Sequence, residues 1–369
     1  MNNYKTAIVH EWLVNYAGSE RCVESFTNIW PEADIFTLVD FLNEEQRKII
    51  LKGKPAKTSF IQKLPFARKR HRYYLPLFPT AIESFDVSKY EIVISSSHAV
   101  AKGVKTNKNQ LHISYCYSPM RYAWESADEY LKGFKGSVAK LFINYLRKWD
   151  LRSAENPDYI IAISNYIKER IKRIYNIDVP VIYPPVDTHL FEIGSKEDFY
   201  LIASRMVPYK KMDLAVRAFN KMPDKKLIVI GDGPEMNKIK SIAGTNITLR
   251  GYQPFNVLKE HLMKAKAFIF TAEEDFGIIV VEAMACGTPV IAFQEGGASE
   301  TVVHNKTGIL FEHQNEGSLI EAVNQFESAA NNFDCNSIRK HSEKFSRAVF
   351  EKNITEFVNQ KAKEFFNRK

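Results

Sequence analysis

A chain of 369 residues is two to three times the usual domain length and indicates two domains, and its 45% hydrophobic and 25% charged residues are typical of folded globular proteins. This composition excludes disordered, collagen-like and coiled-coil proteins, and no apolar run is long enough to cross a bilayer. The net charge of +8 is uneven, with 27 Lys and Arg against 20 Asp and Glu in residues 1–190, so an anionic surface or substrate is expected near the first half.

The N-terminus and the cysteines indicate a reducing compartment. The first residues, MNNYKTAIVHEWL, contain neither the apolar core nor the cleavage site of a signal peptide. The four cysteines form no CxxC pair and no disulfide spacing. We therefore expect a cytoplasmic protein.

Short runs rich in Ile and Val recur along the chain, with amphipathic segments between them. In the first half these runs are residues 5–10, 34–39, 90–97, 111–117 and 158–164. In the second half they are residues 199–204, 226–231, 247–251, 267–272 and 289–293. Because the runs do not alternate polar and apolar residues, they predict strands buried on both faces of a parallel sheet. The rhythm of strand and helix predicts βαβ units with right-handed crossovers.

A connection between two domains is expected at residues 181–198, which contain a Pro-Pro pair and few periodic apolar positions. The predicted fold class is therefore α/β, with two doubly wound Rossmann-like domains facing each other across a cleft. Ligands of such domains bind outside the carboxyl ends of the strands. The helical stretch at the end of the chain, from residue 346, could pack on either domain.

The sequence lacks the common metal and nucleophile motifs. It has no HExxH, no Cys/His cluster, no Asp-x-Asp triplet, no GxSxG elbow and no P-loop. We therefore expect catalysis without a bound metal or another cofactor.

The strongest local pattern is TAEEDFGIIVVEAMACGTPVIAF, residues 271–293. A strand ends near Thr271, a loop carries the acidic residues 273–275, and Gly277 opens a helix that runs through Glu282. Free amides at the helix start favour an anion, and the carboxylates suit the hydroxyls of a neutral sugar. These amides are those around Phe276, Gly277 and Ile278. In the alternative, the acidic residues only complement the helix dipole and Glu282 lies on a solvated face.

A second pattern, LIASRMVPYKKMDLAVRAF, places Arg205 and Lys210 in a loop between a strand and a helix. Two cations at the carboxyl end of a strand suit a diphosphate, although they could also be a surface pair.

Three weaker signals follow other predicted strands. In IGDGPE, Gly233 permits close backbone approach to a flat ligand, but the third glycine of a dinucleotide fingerprint is missing. In NYAGSER, Gly18 would admit a phosphate or sugar, or the segment is a plain helix start capped by Ser19. His98 ends a strand and is either a site residue or a satisfied structural histidine.

Together these motifs resemble those of the retaining glycosyltransferases of family 4, which have the GT-B fold. EDFGIIVVE resembles the E-x7-E element of that family, with Glu274 and Glu282 at its ends, and SRMVPYKK resembles its Arg-x4-Lys phosphate element. GDGP, VIYPPVDTHLF and AISNYI match recurrent segments in the right order, so the resemblance covers nearly the whole chain. In two places the sequence departs from the pattern: Ala17-Gly18 stands where Gly-Gly is frequent, and Lys211 stands where Gly is usual.

The resemblance implies roles for these residues. The Glu matching Glu274 contacts the donor sugar, and the Glu matching Glu282 holds the ribose hydroxyls. The pair matching Arg205 and Lys210 neutralises the diphosphate leaving group, and the His matching His98 lies beside the donor sugar. The nucleotide base would contact backbone near Gly233 and Gly251.

The resemblance also implies a division of the chain. Residues 1–185 would form the acceptor-side domain, residues 186–345 the domain that binds the nucleotide-sugar, and residues 346–369 a helix that crosses back to the first domain. The expected partners are thus a nucleotide-sugar donor and a glycan or lipid-linked acceptor, with no nucleic acid.

The segments CYSPMRYAWE, HEW and RYYLPLFP resemble a subgroup of bacterial mannosyltransferases that use GDP-mannose and build O-antigen or related polysaccharides. The chain is therefore predicted to be a mannosyltransferase. The alternatives are a transferase of the same fold that uses a UDP- or dTDP-sugar, or a nucleotide-sugar epimerase. Four residues could line the acceptor side or simply pack in the core: Met120, Arg121, Tyr122 and Trp124.

The basic stretch ARKRHRYY, residues 67–74, is followed by the aromatic and apolar residues Leu75 and Phe78. Such a segment suits the anionic inner face of the cytoplasmic membrane, where lipid-linked acceptors are found. The alternative is a solvated helix face.

Overall fold

The computed structural model describes residues 4–124 and 137–367. The chain divides into two units, each with its own core. Unit 1 comprises Met1–Pro185 and Phe350–Lys369, and unit 2 comprises Val186–Val349. Within these described residues, each unit contains one six-stranded sheet in which all neighbouring strands are parallel.

The sheet of unit 1 has the strand order β3-β2-β1-β4-β5-β6. Its strands are β1 (Thr6–Leu13), β2 (Asp34–Asp40), β3 (Ala56–Thr58), β4 (Ile92–Ser97), β5 (Leu111–Cys116) and β6 (Tyr159–Ala162). All eight residues of β1 are buried, because helices cover both faces of a central parallel strand. The strand order reverses between β1 and β4, which is where ligands bind in folds of this kind.

Helices of unit 1 connect these strands. The described helices are α1 (Gly18–Ile29), α2 (Glu44–Leu51), α3 (Ala67–Arg70), α4 (Phe78–Glu83), α5 (Arg121–Trp124), α6 (Ser137–Ser153) and α7 (Asn165–Tyr175). Ser164 caps α7 by accepting a hydrogen bond from the Ile167 amide at 3.1 Å. Ser19 is not the cap of α1, since the residue before the helix is Ala17; the Glu20 carboxylate bonds the Ala17 amide instead, at 3.1 Å.

The sheet of unit 2 has the order β12-β11-β10-β7-β8-β9, which reverses between β7 and β10. Its strands are β7 (Tyr200–Ala203), β8 (Leu227–Ile230), β9 (Ile247–Gly251), β10 (Ala267–Phe270), β11 (Val290–Phe293) and β12 (Gly308–Phe311). Its helices are α8 (Met212–Asn220), α9 (Met236–Ile242), α10 (Phe255–Lys264), α11 (Ile278–Ala285), α12 (Ala298–Thr301), α13 (Glu316–Ser328) and α14 (Cys335–Ser342).

The last described helix, α15 (Arg347–Phe366), covers one face of unit 1. Its buried residues are spaced four apart and lie on one side: Phe350, Ile354, Val358 and Ala362. The Phe350 ring lies 5.8 Å from Phe26 and 5.4 Å from Tyr115, between ring centroids. Burying one such phenylalanine is worth about 1.5–3 kcal/mol.

The two α/β domains with parallel sheets were predicted correctly, and each of the ten predicted runs overlaps a strand. The edge strands β3 and β12 were missed. Two side chains assigned to surfaces lie instead in the core of unit 1, namely Phe78 and Met120. Both are fully packed by apolar neighbours, so Phe78 cannot face a membrane and Met120 cannot face an acceptor.

The segment from Arg121 to Trp124 forms α5, and Trp124 packs against the core of unit 1. Its indole N–H donates to Asp150 Oδ2 at 2.7 Å. Core packing is therefore the better interpretation of Trp124, while Glu125, the last residue of the predicted acceptor segment, lies outside the described residues. None of the described helices is long and apolar enough to span a bilayer.

Candidate functional site

The first candidate site lies in unit 2, where the strand order reverses. Lys210 ends a short 3-10 turn after β7, and Glu274 lies in the loop after β10. The Lys210 Nζ donates to Glu274 Oε1, and both side chains are largely shielded from solvent. Two residues that are 64 positions apart in sequence thus form one ion pair at the carboxyl edge of the sheet.

Thr271 fixes the backbone that carries this lysine. Its hydroxyl donates to the carbonyl oxygens of Lys210 at 3.0 Å and Lys211 at 2.9 Å. Lys211 adopts the left-handed conformation, with φ 52° and ψ 34°, directly before α8. A residue with a Cβ pays about 1–2 kcal/mol for this conformation, so the loop keeps a shape that a glycine would adopt more easily.

Two glycines that the motifs did not indicate hold the acidic loop. The Gly297 amide donates to the Glu274 carbonyl at 2.7 Å. A Cβ on Gly296 would lie 2.4 Å from the Glu274 carbonyl oxygen, and a Cβ on Gly297 would lie 2.2 Å from the Phe276 Cα. The backbone after β11 can therefore approach this loop only because both side chains are absent. The pair GG in QEGGAS was the available signal.

Helix α11 begins directly after this loop. Gly277 precedes it with φ 82°, and Ile278 is its first residue, so the amides at the helix start follow Phe276. Glu282, the fifth residue of α11, is only 6% exposed. The interpretation of Glu282 as part of a solvated face is therefore wrong.

The loops after β7 and β8 pack against each other through glycines. Gly231 has φ 141° and Gly233 has φ 153°, and a Cβ on them would lie 1.8 Å from the Ser204 carbonyl oxygen and 2.5 Å from that of Met206. The Gly231 amide also donates to the Gly251 carbonyl at 2.8 Å. Only glycine fits this arrangement, which brings the backbone of Gly233 and Gly251 to the same edge of the sheet.

Arg205 lies in the first of these loops and is exposed. The structure thus brings Lys210 together with Glu274, and places Arg205, Gly233, Gly277 and the start of α11 in loops at the carboxyl edge of the same sheet.

The second candidate site lies in unit 1, where its strand order reverses. His98 follows β4 and is 25% exposed, and its Nδ1 lies 3.0 Å from Oε2 of Glu11, a fully buried residue of β1. The other oxygen, Oε1, accepts four consecutive backbone amides at 2.9–3.0 Å. These amides belong to His98, Ala99, Val100 and Ala101. In the sequence, Glu11 belongs to the HEW segment, which indicated no contact with His98.

The neighbouring His10 is also fully buried. Its Nδ1 lies 3.0 Å from the Ser96 hydroxyl, and its Nε2 lies 3.8 Å from Glu20 Oε1 in α1. The Tyr117 hydroxyl contacts the same Ser96 hydroxyl at 2.9 Å and donates to the Ser19 carbonyl at 3.2 Å. A polar network therefore runs from the His98 segment to the start of α1, which is Gly18.

Burial and neighbouring charges act in opposite directions on these groups. Burial alone would raise the pKa of Glu11, but the nearby His98 and His10 and the donated amides hold it well below its ordinary value. Burial likewise opposes a charged His10, yet the Glu20 and Glu11 carboxylates raise its pKa. Burial also opposes ionisation of Glu20, whose pKa is lowered by its contact with His10. The contacts within the network therefore favour the charged forms of His10, Glu11 and Glu20 against the effect of burial.

In the described part of the chain, no three His, Cys, Asp or Glu residues are grouped so as to hold a metal ion.

Both halves of the chain match models of known protein families. Residues 32–190 match the model described as Glycosyltransferase Family 4, and residues 189–348 match that described as Glycosyl transferases group 1. Both halves of the chain are therefore of glycosyltransferase type.

Curated relatives match part of the chain. An uncharacterized glycosyltransferase of Methanocaldococcus jannaschii is 31% identical over 173 residues, which are 46% of this chain and 49% of that protein. A GDP-mannose-dependent alpha-(1-6)-phosphatidylinositol monomannoside mannosyltransferase of Mycobacterium tuberculosis is 27% identical over 205 residues, covering 47% of this chain and 53% of that protein. The matched region thus spans about half the length of these relatives.

Among solved structures, Anabaena HepE in complex with UDP superposes with a TM-score of 0.72 at 16% identity, covering 96% of this chain and 100% of that one. At this identity the likeness establishes the fold, which is that of the GT-B glycosyltransferases.

Proposed function

We propose that this protein is a retaining glycosyltransferase that moves a sugar from a nucleotide-diphosphate donor to a glycan or lipid-linked glycan in cell-surface polysaccharide synthesis. The observation that carries the proposal is the Lys210–Glu274 pair beside the start of α11. A cation, a carboxylate and the amides of a helix start at one sheet edge suit a ligand that has both a diphosphate and sugar hydroxyls.

Each of these groups has a distinct role in the proposed reaction. Breaking the anomeric bond builds negative charge on the departing diphosphate. Arg205, Lys210 and the amides after Gly277 stabilise that charge more strongly in the transition state than in the ground state. Glu274 orients the donor sugar through its hydroxyls and does not act as a general base.

The remaining contacts position the substrate. Glu282 holds the ribose hydroxyls, and the base lies against backbone near Gly233 and Gly251. In unit 1, His98 contacts the transferred sugar, and the amides at Gly18 face the phosphates.

Mannose from GDP-mannose is the donor we propose. The M. tuberculosis relative supports this choice, because its name specifies GDP-mannose as donor. The fold likeness to HepE, which was crystallised with UDP, keeps a UDP- or dTDP-sugar as the second candidate. A nucleotide-sugar epimerase of the same fold would consume the donor without any acceptor, so turnover in the absence of an acceptor distinguishes it.

Thermal unfolding in the presence of GDP, UDP, ADP, dTDP or GDP-mannose tests the donor. A ligand at about a hundred times its dissociation constant stabilises the folded state by about 2.7 kcal/mol. We expect a shift with GDP and GDP-mannose only. A shift with UDP or dTDP alone would indicate a different donor sugar. The absence of a shift with any nucleotide would contradict the transferase proposal.

We further propose that no metal or other cofactor takes part in the transfer. Turnover should then be unchanged when excess EDTA is present throughout the assay. Loss of turnover in EDTA that added Mg²⁺ or Mn²⁺ restores would contradict this part of the proposal.

The place of action that we propose is the cytoplasmic face of the membrane. The residues of segment 67–74 present several exposed cations beside exposed rings, with Tyr73 75% and the preceding Phe66 76% exposed. Basic and aromatic groups together favour an anionic lipid surface. Flotation with vesicles that contain anionic lipid should recover the protein, and the charge-reversing variant Arg68→Glu/Arg70→Glu should float less. Equal flotation with neutral vesicles would contradict the idea.

A further inference from the structure

The contact between Glu11 and His98 assigns the proton on the histidine ring. A carboxylate oxygen and an unprotonated ring nitrogen both carry lone pairs, which repel each other at 3.0 Å in a buried place. Glu11 has a lowered pKa, so Oε2 carries no hydrogen, and neither Oε2 nor Nδ1 of His98 has another hydrogen-bond partner among the described residues; a proton on Nδ1 is the arrangement that removes this repulsion. The opposite nitrogen, Nε2, is then unprotonated whenever the ring is neutral.

The surroundings hold Glu11 firmly. Its Oε1 accepts the four amides of the turn that begins at His98, and the Ser97 hydroxyl donates to it at 3.3 Å. The same carboxylate therefore orders the backbone of His98 and the ring of His98. Displacing either the backbone or the ring of His98 would therefore take a partner away from a buried charge.

The ring of His98 is also fixed in orientation. It packs edge-on against Trp12, with 4.5 Å between the ring centroids, and its Nδ1 is buried while a quarter of the side chain remains exposed. The accessible edge is consequently the one that carries Nε2. The titratable groups around the ring are Glu11 and His10 from β1, Glu20 from α1 and Tyr117 after β5.

We propose that Glu11 is a positioning residue for His98: it keeps the proton on Nδ1, so that Nε2 meets the substrate as a hydrogen-bond acceptor for a sugar hydroxyl. This inference rests on the proposed function for the identity of the substrate, but the state of the ring can be measured without it. Glu11 itself touches no substrate and acts through His98.

The Glu11→Gln variant tests the assignment, because it keeps the size of the side chain and changes one hydrogen-bonding group. The Gln carbonyl can still accept the amides of residues 98–101, but its NH₂ group then faces Nδ1 of His98. The ring must accept at Nδ1 and carry its proton on Nε2, which turns an acceptor into a donor at the substrate. Removing a carboxylate that orients a metal-bound histidine typically costs about tenfold to a hundredfold in activity, and we expect a loss of the same order here.

The first measurement is the ¹⁵N spectrum of histidine-labelled protein at a pH where the ring is neutral, with the His98 signals identified by their loss in His98→Ala. We expect Nδ1 protonated in the wild type and Nε2 protonated in Glu11→Gln. Glu83→Gln is the matched control, because Glu83 accepts the Trp149 indole N–H at 2.6 Å in the same unit, and it should leave the His98 signals unchanged. A wild-type ring protonated at Nε2 would overturn the proposal, whether or not Glu11→Gln folds.

The second measurement is a double-mutant cycle on kcat/KM. Glu11→Gln should lose about tenfold to a hundredfold in the wild-type background and nothing further in the His98→Ala background. Equal losses in both backgrounds would overturn a role through His98. A wild type that has the expected tautomer but transfers no sugar would contradict the proposed function and leave the assignment of Glu11 standing.

Discussion

Lys210 and Glu274 are the residues on which the proposed chemistry depends most. We expect Lys210→Ala and Glu274→Ala each to lower kcat by about a hundredfold to a thousandfold, because each removes a group that faces the charge or the sugar in the transition state. The unfolding temperature should change little, since the pair lies in loops at the edge of the sheet.

Lys221→Ala is the matched control for Lys210→Ala. Lys221 is an exposed lysine of unit 2 that pairs with Glu316 at 2.7 Å, and its loss should leave turnover unchanged. Turnover retained in both Lys210→Ala and Glu274→Ala would rule out the site in unit 2.

Gly233 is a residue at which a single methyl group should be damaging. In Gly233→Ala the new Cβ would meet the Met206 carbonyl oxygen at 2.5 Å, and the backbone would have to keep φ at 153°. We expect a loss of more than about 1 kcal/mol in the free energy of unfolding, together with weaker nucleotide binding.

Gly53→Ala provides the comparison for Gly233→Ala. Gly53 also has a positive φ, 81°, but nothing lies within 4 Å of its Cβ position, so only the conformational cost of about 1 kcal/mol applies. Equal destabilisation by the two substitutions, measured by urea unfolding, would show that the contact with Met206 adds nothing to the cost of Gly233→Ala.

The sequence indicated the individual residues of the candidate sites, but not the contacts between them. Lys210 and Glu274 stood in recognisable motifs, but their ion pair joins two loops that only the sheet topology brings together. The resemblance of the HEW segment implied a subgroup of transferases but no role for Glu11 itself. Its partners are amides about 90 residues further along, and backbone groups leave no mark on residue identity.

At the level of elements, the buried ion pair of Lys102 and Asp150 connects three helices and a turn of unit 1. Asp150 in α6 accepts hydrogen bonds from Lys102 at 2.5 Å, from the Trp124 indole in α5 at 2.7 Å and from the Tyr175 hydroxyl in α7 at 2.8 Å. Lys102 also donates to the Ala99 carbonyl at 3.1 Å, within the turn whose amides bind Glu11.

Breaking this pair should therefore be costly. We expect Asp150→Asn to reduce the free energy of unfolding by about 3–5 kcal/mol, because it leaves the Lys102 ammonium buried without a counter-charge. Arg152 lies in the same helix as Asp150 and forms an exposed ion pair with Glu83. Arg152→Ala should therefore lower the free energy of unfolding by less than about 1 kcal/mol. Similar values for the two variants in urea unfolding would mean that water reaches Lys102.

The strands also show why prediction worked unevenly at this level. Central strands are buried on both faces, so they appear as apolar runs such as YEIVISSS. The edge strand β3 has the sequence AKT, with three residues that are partly or fully exposed, and it therefore carries no apolar signal. The strand β3 is identified by its pairing with β2 and not by its own composition.

At the scale of the whole molecule, all four tryptophans belong to unit 1, so intrinsic fluorescence follows the unfolding of that unit. Burial lowers the pKa of His112 to about 3 and that of His71 to about 4. Both rings are protonated more readily in the unfolded chain, whose histidines have a pKa of about 6.5. Their neutral burial therefore stabilises unit 1 fully above that pH and progressively less as the pH falls.

We expect the free energy of unfolding, measured by tryptophan fluorescence in urea, to fall by roughly 2–4 kcal/mol between pH 7 and pH 4.5. The lowered pKa of Glu11 acts only below the ordinary range of a glutamate, and the raised pKa of His10 acts in the opposite direction by stabilising unit 1 as the pH falls, so neither group explains a loss in this window. His112→Gln should flatten the dependence, whereas His313→Gln, at an exposed position of unit 2, should not. An unchanged slope in His112→Gln would contradict the assignment.

The first and last segments of unit 2 lie next to each other and are connected by hydrogen bonds. The Val186 amide donates to the Phe345 carbonyl at 3.0 Å, the Arg347 amide donates to the Val186 carbonyl at 3.0 Å, and the Arg347 guanidinium binds Asp187 through two contacts. Unit 2 is therefore an insertion in the chain of unit 1. A ribosome makes α15 after the whole of unit 2. Phe350 can therefore cover Phe26 and Tyr115 of unit 1 only after unit 2 has been synthesised. The order of translation thus makes the inserted unit the first to be completed, and unit 1 keeps an apolar face open until synthesis has passed it.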